Sequence, residues 1–280
     1  MPELPEVETV RRGLAGSCIG RQIVAVQTLH PRATNSRSLS PLNSVAGARI
    51  KSVNRRGKFL WFELDEPLAL VAHLGMSGQF RIQRRETQYE KHLRARFSLA
   101  GRGRGREKFE LRFIDQRTFG WLAVSEYLDG VPELVSKIAL DIFDPEFDPA
   151  AVSSKFKKRH TEIKRALLDQ SLMSGVGNIY ADESLWLAKI HPQSQTSELS
   201  PRKIGNLLEA TRSVMSQALV EGGTSFDSLY VNVNGESGYF DRSLEVYGRE
   251  HERCSRCGGE IRRIAFAGRS SHFCPKCQRL

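Results

Sequence analysis

The first six residues, MPELPE, contain residue types that could perform covalent chemistry in this order. A small residue such as Pro2 after Met1 normally allows removal of the initiator methionine, which would leave the secondary amine of proline at the N-terminus. A free α-amino group titrates near pH ~8, against about 10.4 for a lysine side chain, so more of it is neutral and nucleophilic at pH 7. Glu3 adds a carboxylate suited to proton transfer. The alternative is an ordinary processed N-terminus that happens to begin with proline.

A helix is predicted directly after this dipeptide, because Pro5 suits a first helical turn and Glu6 and Glu8 suit the positive end. One face of the predicted helix is apolar and consists of Leu4, Val7, Val10 and Leu14. The positive end would disfavour a protonated amine nearby and lower its pKa further. We therefore expect this helix to position both the amine and the carboxylate.

The C-terminus contains a metal-ligand pattern, Cys254-x2-Cys257, sixteen residues, and then Cys274-x2-Cys277. Each pair supplies two thiolates from one tight turn, and the two pairs complete a tetrahedron around zinc. Four protein ligands leave no open position on the metal. The pattern therefore predicts one structural Zn²⁺ and no catalytic metal.

Residues 261–267, between the two cysteine pairs, alternate well enough for a β-hairpin with its turn near Gly268 and Arg269. Residues 249–280 contain eight Lys and Arg against three Asp and Glu. With zinc and four thiolates included, the segment carries a charge of about +3. A small, basic, zinc-bound hairpin suits a groove of nucleic acid. The alternative is a zinc ribbon that only stabilises the fold.

Composition narrows the class of protein. A chain of 280 residues with 40% hydrophobic content can form a real core and more readily two domains than one. The net charge of +10 favours a polyanionic partner such as nucleic acid, although basic proteins can also simply be soluble. No segment resembles a signal peptide or a membrane span, so a cytoplasmic protein is expected. Cys18 stands apart from the other cysteines and is expected to be a buried or idle thiol.

The N-terminal half predicts short strands in a β-sandwich or barrel. The candidate strands are residues 23–29, 49–54, 58–64, 68–74, 80–83, 96–99, 109–114 and 121–124. Residues 141–149 are acidic, contain proline and predict a linker. The pattern then becomes helical, and the predicted helices are residues 155–170, 179–190 and a longer one capped by Ser200, with Pro201 as its first residue and Gly222 and Gly223 at its end.

Three further motifs carry residues that could contact DNA, although each has an ordinary explanation. Lys58 in RRGKF opens an apolar strand and could hold a phosphate. Met76 in HLGMSG and the Arg117 and Phe119 pair in DQRTFG lie in turns, where an apolar side chain could wedge between bases and an arginine could bind an orphaned base. Taken singly, none of these motifs decides the function, because a lysine at a strand start is usually just solvated and a methionine at a glycine turn is more often part of the core.

Together, MPELPEVETVRRGL, RRGKF, HLGMSG, DQRTFG, SGVGNIYADE and the closing CxxC…CxxC occur in an order that resembles the bacterial formamidopyrimidine-DNA glycosylases. The resemblance runs essentially from end to end. It implies an α+β, two-lobed fold with an N-terminal β-sandwich and leading helix, a helix-two-turn-helix domain and a zinc-finger β-hairpin. With the segmentation above, we expect domains at 1–134, 151–240 and 241–280, joined by a linker at 135–150.

The resemblance also implies a function and the residues that perform it. The chain would remove 8-oxoguanine and ring-opened purines from double-stranded DNA and then cleave the strand, using Pro2 as the nucleophile, Glu3 for proton transfer and Lys58 as an assisting group. It would need no organic cofactor, and we expect a monomer associated with the nucleoid through DNA. The implied DNA-contacting residues are His73, Met76, Arg117, Phe119, Lys164, Asn178, Tyr247 and Arg269.

The resemblance also has limits. The motif DQRTFG stands where many relatives have DPRRFG, but its arginine and phenylalanine are kept. The segment from Thr224 to Phe240 matches a loop that would close over the displaced base. An endonuclease VIII-type enzyme for oxidised pyrimidines and a DNA-binding relative without activity remain as alternatives.

Overall fold

The computed structural model describes residues 1–101, 109–223 and 240–280, without the side chains of residues 241 and 242. These residues form two units. The first contains Met1–Lys137, and the second contains Ile138–Glu221 with Phe240–Leu280.

The first unit begins with helix α1, Leu4–Cys18, as the sequence predicts. Pro5 lies in its first turn. The predicted apolar face is buried, and its members are Leu4, Val7, Val10 and Leu14. Cys18 is buried in the same core.

Two antiparallel sheets follow α1, close to the bounds that the alternating pattern predicts. The strands are β1 Ile23–Thr28, β2 Ile50–Arg56, β3 Phe59–Leu64, β4 Leu68–His73, β5 Gly78–Arg84, β6 Leu93–Leu99, β7 Phe109–Asp115, β8 Trp121–Leu128 and β9 Val131–Pro132. One sheet has the order β1-β6-β7-β5 and the other β2-β3-β4-β8-β9. Phe80 joins the sheets, since its ring centroid lies 5.8 Å from that of Phe62 in the facing sheet, and it also packs against Phe113 of its own sheet at 5.2 Å. The sandwich is thus confirmed.

The second unit contains four helices, α2 Pro149–Lys158, α3 Ile163–Leu168, α4 Asn178–Leu187 and α5 Pro201–Val220. The prediction of one helix over residues 155–170 was wrong. Helix α2 begins earlier, because the Asp148 carboxylate accepts hydrogen bonds from the backbone N–H groups of Ala150 and Ala151. It ends before His160, whose φ of 45° is incompatible with a right-handed helix.

Helix α5 begins and ends as predicted. The Ser200 hydroxyl accepts a hydrogen bond from the Lys203 backbone N–H at 3.2 Å, and Pro201 is the first helical residue. Gly222 and Gly223 adopt φ values of 79° and 87° after the last turn. This left-handed backbone ends the helix and favours glycine.

The predicted C-terminal hairpin is formed by β10, Arg262–Phe266, and β11, Arg269–Phe273. Phe266 pairs with Arg269, so two residues make the turn. Ala267 and Gly268 both have positive φ, 47° and 73°, as a tight type I′ turn requires. Among the helices of the described residues, none has both the length and the apolar character needed to cross a membrane.

Candidate active site and zinc centre

The N-terminal end of α1 holds Glu3 through a reciprocal capping box. The Glu3 backbone N–H donates to Oε2 of Glu6 at 2.8 Å, and the Glu3 carboxylate accepts from the Glu6 backbone N–H. Pro2, Glu3 and Glu6 are buried. The capping box therefore fixes the backbone next to Pro2. Met1 precedes Pro2 in this structure, so the Pro2 nitrogen becomes an amine only when Met1 is removed.

Glu8 fastens α1 to the β2–β3 hairpin. Its Oε2 lies 2.9 Å from Nε of Arg11 and 3.1 Å from Nε of Arg55. Burial alone would raise the pKa of Glu8, but the hydrogen bond from Arg11 and the charges of Arg55 and Arg11 lower it to about 2. Arg55 Nη1 also donates to the Gly57 carbonyl at 3.0 Å. This ionised carboxylate thus joins the helix to the turn that precedes Lys58.

Lys58 and His73 lie at neighbouring strand ends, because Phe59 at the start of β3 pairs with His73 at the end of β4. Lys58 is only 6% exposed. Burial and then the charge of Lys58 lower the pKa of His73 to about 4, so its imidazole is neutral at pH 7. The Gly75 backbone N–H donates to His73 Nδ1 at 3.1 Å. The neutral ring therefore carries its proton on Nε2 and offers an uncharged N–H donor.

The structure brings together the two turns that carry the wedge residues implied by the resemblance. Met76 is partly buried in the β4–β5 turn, and Arg117 is exposed in the β7–β8 turn. Phe119 in the same turn is 56% exposed. The Arg117 guanidinium lies 5.5 Å from the centroid of the Phe119 ring. An apolar side chain this exposed is available to a ligand.

Lys164 in the second unit is fully buried. Its Nζ lies 2.6 Å from Oδ1 of Asp182 and donates to the Ser270 carbonyl at 2.9 Å. The Asn178 amide donates to the same carbonyl at 3.0 Å, and Asp182 also accepts from the His272 backbone N–H at 2.9 Å. Lys164 therefore holds the β10–β11 hairpin against α3 and α4. This geometry suits a positioning residue better than a surface contact.

Tyr247 is held by Glu183 of α4. The Glu183 carboxylate accepts from the three backbone N–H groups of residues 245–247, at 2.9, 2.9 and 2.8 Å. Burial raises the pKa of Glu183 despite these hydrogen bonds. The Tyr247 ring meets the His272 ring of β11 at a centroid distance of 5.1 Å. Arg269 is exposed at the first position of that strand.

The four predicted metal ligands form one cluster, and they are Cys254, Cys257, Cys274 and Cys277. Their Sγ atoms all lie within 4.8 Å of one another. Tetrahedral zinc with Zn–S bonds of ~2.3 Å holds its thiolates about 3.8 Å apart, so the cluster fits this ion. All five cysteines are described, and none forms a disulfide. The Trp186 indole N–H donates to the Cys254 sulfur at 3.4 Å, which would stabilise a thiolate.

The sequence did not point to three buried acids that hold the wedge turns, Lys164 and Tyr247 in place. They are Asp115, Asp182 and Glu183. Each lies inside or beside a motif that was recognised, and this proximity was the only available signal. The segment predicted to close over a displaced base lies outside the described residues, apart from its last residue, Phe240.

Comparison with known proteins agrees with this geometry. The chain matches the formamidopyrimidine-DNA glycosylase N-terminal domain over residues 1–122, its H2TH domain over 138–228 and the zinc finger found in FPG and IleRS over 252–280. The formamidopyrimidine-DNA glycosylase of Nocardioides sp. is 53% identical over 281 residues, which cover 99% of this chain and 94% of the relative. That of Streptomyces coelicolor is 52% identical over 284 residues, which cover 100% and 98%. The chain belongs to the formamidopyrimidine-DNA glycosylase family.

Solved structures lead to the same family. The Lactococcus lactis Fpg in complex with an abasic site containing DNA has a TM-score of 0.87 and 36% identity, over 99% of this chain and 100% of that chain. The same values hold for its complex with a Fapy-dG containing DNA. A third complex of that enzyme, with oxidised pyrimidine containing DNA, also has a TM-score of 0.87 and 36% identity and covers 100% of both chains. The resemblance derived from the motifs is thus confirmed.

Proposed function

We propose that this chain is a bifunctional DNA glycosylase and AP lyase of base excision repair, which excises 8-oxoguanine and formamidopyrimidine from duplex DNA. One observation carries the proposal. Pro2 and Glu3 are held at the capped, buried start of α1, and the ion pair between Glu8 and Arg55 fastens α1 to the hairpin bearing Lys58. Membership of the family supports the same reaction.

The proposed reaction starts once Met1 is removed. The lone pair of the Pro2 nitrogen attacks C1′ of the damaged nucleotide, and the base leaves with the electrons of the glycosidic bond. Glu3 transfers the protons needed for base loss and sugar ring opening. The resulting iminium acidifies the protons at C2′. Elimination then breaks the C3′–O bond and afterwards the C5′–O bond, with Lys58 assisting beside a phosphate.

The other site residues are proposed to hold the DNA. Met76 and Phe119 fill the gap left by the everted nucleotide, which offsets part of the unstacking cost of a few kcal/mol. Arg117 hydrogen-bonds the orphaned cytosine. The neutral Nε2–H of His73 suits a phosphate oxygen. The proposed phosphate contacts in the second unit are Asn178, Tyr247 and Arg269, and Lys164 positions the hairpin that carries Arg269.

The proposed chemistry and the residues that fill the DNA gap lie in residues 1–134, whereas residues 151–240 and 241–280 supply further phosphate contacts. The four cysteines would hold one Zn²⁺, which keeps the hairpin folded. Because its proposed substrate is chromosomal DNA, the enzyme would act in the cytoplasm, at the nucleoid.

Borohydride trapping tests the proposal. The protein is incubated with a duplex containing 8-oxoguanine opposite cytosine, reduced, and analysed by mass spectrometry. A covalent adduct at Pro2 is expected. Pro2→Gly and Glu3→Gln should lose base excision while DNA affinity is retained, whereas Pro5→Ala, the matched proline control, should keep the adduct. Undiminished excision in both catalytic variants would contradict the mechanism.

A second candidate substrate class is oxidised pyrimidines, because one structural relative is solved with such DNA. Thymine glycol cleaved faster than 8-oxoguanine opposite cytosine would favour it. A DNA-binding relative without activity would instead show salt-sensitive binding and no adduct on either lesion.

A further inference from the structure

The carboxylate of Asp115, the last residue of β7, joins the β4–β5 turn to the β7–β8 turn. Ser77 Oγ donates to its Oδ1 at 2.5 Å, and the Arg117 backbone N–H donates to the same oxygen at 3.2 Å and to Ser77 Oγ at 2.9 Å. The Gly120 backbone N–H donates to Oδ2 at 2.7 Å. Asp115 and Ser77 are each 1% exposed. One buried side chain thus binds both turns.

The backbone of Asp115 is itself fixed. Its N–H donates to the His92 carbonyl at 3.0 Å, and its carbonyl accepts from Arg94 Nε at 2.7 Å. Asp115 also pairs with Gly78 across the β5–β7 ladder. The carboxylate therefore projects from a rigid strand end into the space between the turns.

The two turns need this support because their backbones nearly touch. A Cβ on Gly75 would lie 2.3 Å from the Phe119 carbonyl carbon, and one on Gly120 would lie 2.9 Å from the Leu74 carbonyl oxygen. Thr118 has a φ of 55°, a left-handed conformation that costs a non-glycine residue free energy. Hydrogen bonds on both sides of Thr118, from Arg117 and Gly120 to Asp115, keep it there.

We propose that Asp115 is a positioning residue that, through Ser77, holds the two turns as one body and so sets how well Met76, Arg117 and Phe119 fill the DNA gap. The inference rests on the proposed function. It assigns Asp115 to eversion and to reading of the opposite base, and leaves the reaction at Pro2 to other residues.

If Asp115 serves eversion and not the reaction at Pro2, its loss should lower the rates on two substrates by different factors. An intact 8-oxoguanine must be unstacked before it can react, whereas a preformed abasic site has no base to evict. Loosened turns should slow the first reaction far more than the second. A merely structural role would lower both together, because it would reduce the amount of folded enzyme.

The test compares Asp115→Asn and Ser77→Ala under single-turnover conditions, with Ser77→Thr as the rescue that keeps the hydroxyl. The side-chain amide that Asp115→Asn introduces cannot accept from Arg117, Ser77 and Gly120 at once, because one of its two groups is a donor. Ser125→Ala, a buried serine on β8, is the matched control. Melting temperature is measured for every variant.

Excision of 8-oxoguanine opposite cytosine should fall about 10- to 100-fold in Asp115→Asn and Ser77→Ala, as a misplacement on the order of 1 Å would cause. In both variants, the ratio of the excision rate opposite cytosine to that opposite adenine should become smaller. Cleavage of the abasic duplex should stay within about threefold, and Ser77→Thr should recover excision. Equal losses on both substrates, or unchanged excision, would overturn the inference. If the wild-type protein itself excises no 8-oxoguanine, the proposed function has failed instead.

Discussion

Lys164 Nζ lies 2.6 Å from Asp182 Oδ1, and neither side chain has any exposed area. Removing one partner of such a buried pair leaves an uncompensated charge, which typically costs about 3–5 kcal/mol. We expect Asp182→Asn to lower the free energy of unfolding by that amount, as measured by denaturant titration. DNA affinity should fall as well, since Asp182 also holds the backbone of β11 at His272.

The matched control is Asp169→Asn, which breaks the exposed pair between Asp169 and Arg159, 3.0 Å apart with side chains 34% and 49% exposed. Pairs of this kind contribute about 0–1 kcal/mol. Similar decreases in the free energy of unfolding in the two variants would mean that burial gives the Lys164–Asp182 pair no special role.

Protonation of His73 should destabilise the folded protein. The pKa of His73 is about 4 in the folded state, against an ordinary value of 6.5. The unfolded chain therefore binds more protons between these values, and the free energy of unfolding falls as the pH decreases from 6.5 towards 4, by up to about 3 kcal/mol. His73→Asn keeps an acceptor for the Gly75 N–H and should lose less stability in this window.

The comparison between wild type and His73→Asn removes the contributions that both proteins share. Burial lowers the pKa of His191 as well, so both proteins lose some stability as the pH falls. Glu8, with its pKa of about 2, changes the stability only at pH values below its ordinary pKa of 4.5. Parallel stability curves between pH 6.5 and 4.5 would refute the role of His73.

Trp186 should slow the loss of zinc. Its indole N–H donates to Cys254, and outer-shell donors of this kind typically change metal affinity by about 10- to 100-fold. Trp186→Phe keeps an aromatic ring under Arg256, whose guanidinium lies 3.9 Å from the Trp186 ring, and removes the N–H donor. Zinc transfer to a chromogenic chelator should become about tenfold faster. Trp61→Phe in the sandwich should release zinc at the wild-type rate.

Arg269 and Arg117 should differ in how they depend on salt. A phosphate contact contributes about one unit to the slope of log affinity against log salt concentration, whereas a base contact contributes to specificity. Arg269→Ala should therefore reduce the slope by about one and weaken binding to all duplexes alike. Arg117→Ala should keep the slope and narrow the preference for the opposite base by about 1–3 kcal/mol. A reversed pattern would exchange the two assignments.

Local chemistry made several elements predictable. Proline at the start of α1 and α5, the serine cap at Ser200 and the glycines after Val220 act within one or two turns of the backbone, and the structure has all of them where expected. The break between α2 and α3 was not predictable from periodicity. Apolar residues on both sides continue a helical spacing, and the left-handed backbone at His160 and the extended backbone at Glu162 separate the two helices.

By itself the sequence determined the candidate nucleophile, the carboxylate proposed for proton transfer and the four zinc ligands, because each depends on residue type and short spacing along the chain. Only the tertiary structure decided which buried acids hold the proposed DNA-contacting turns and the C-terminal hairpin. Asp115 meets Ser77 and Asp182 meets Lys164 through contacts between residues distant in sequence. Such a charge is stable in the interior only when a partner folds against it, and which partner does so depends on how the strands and helices come together.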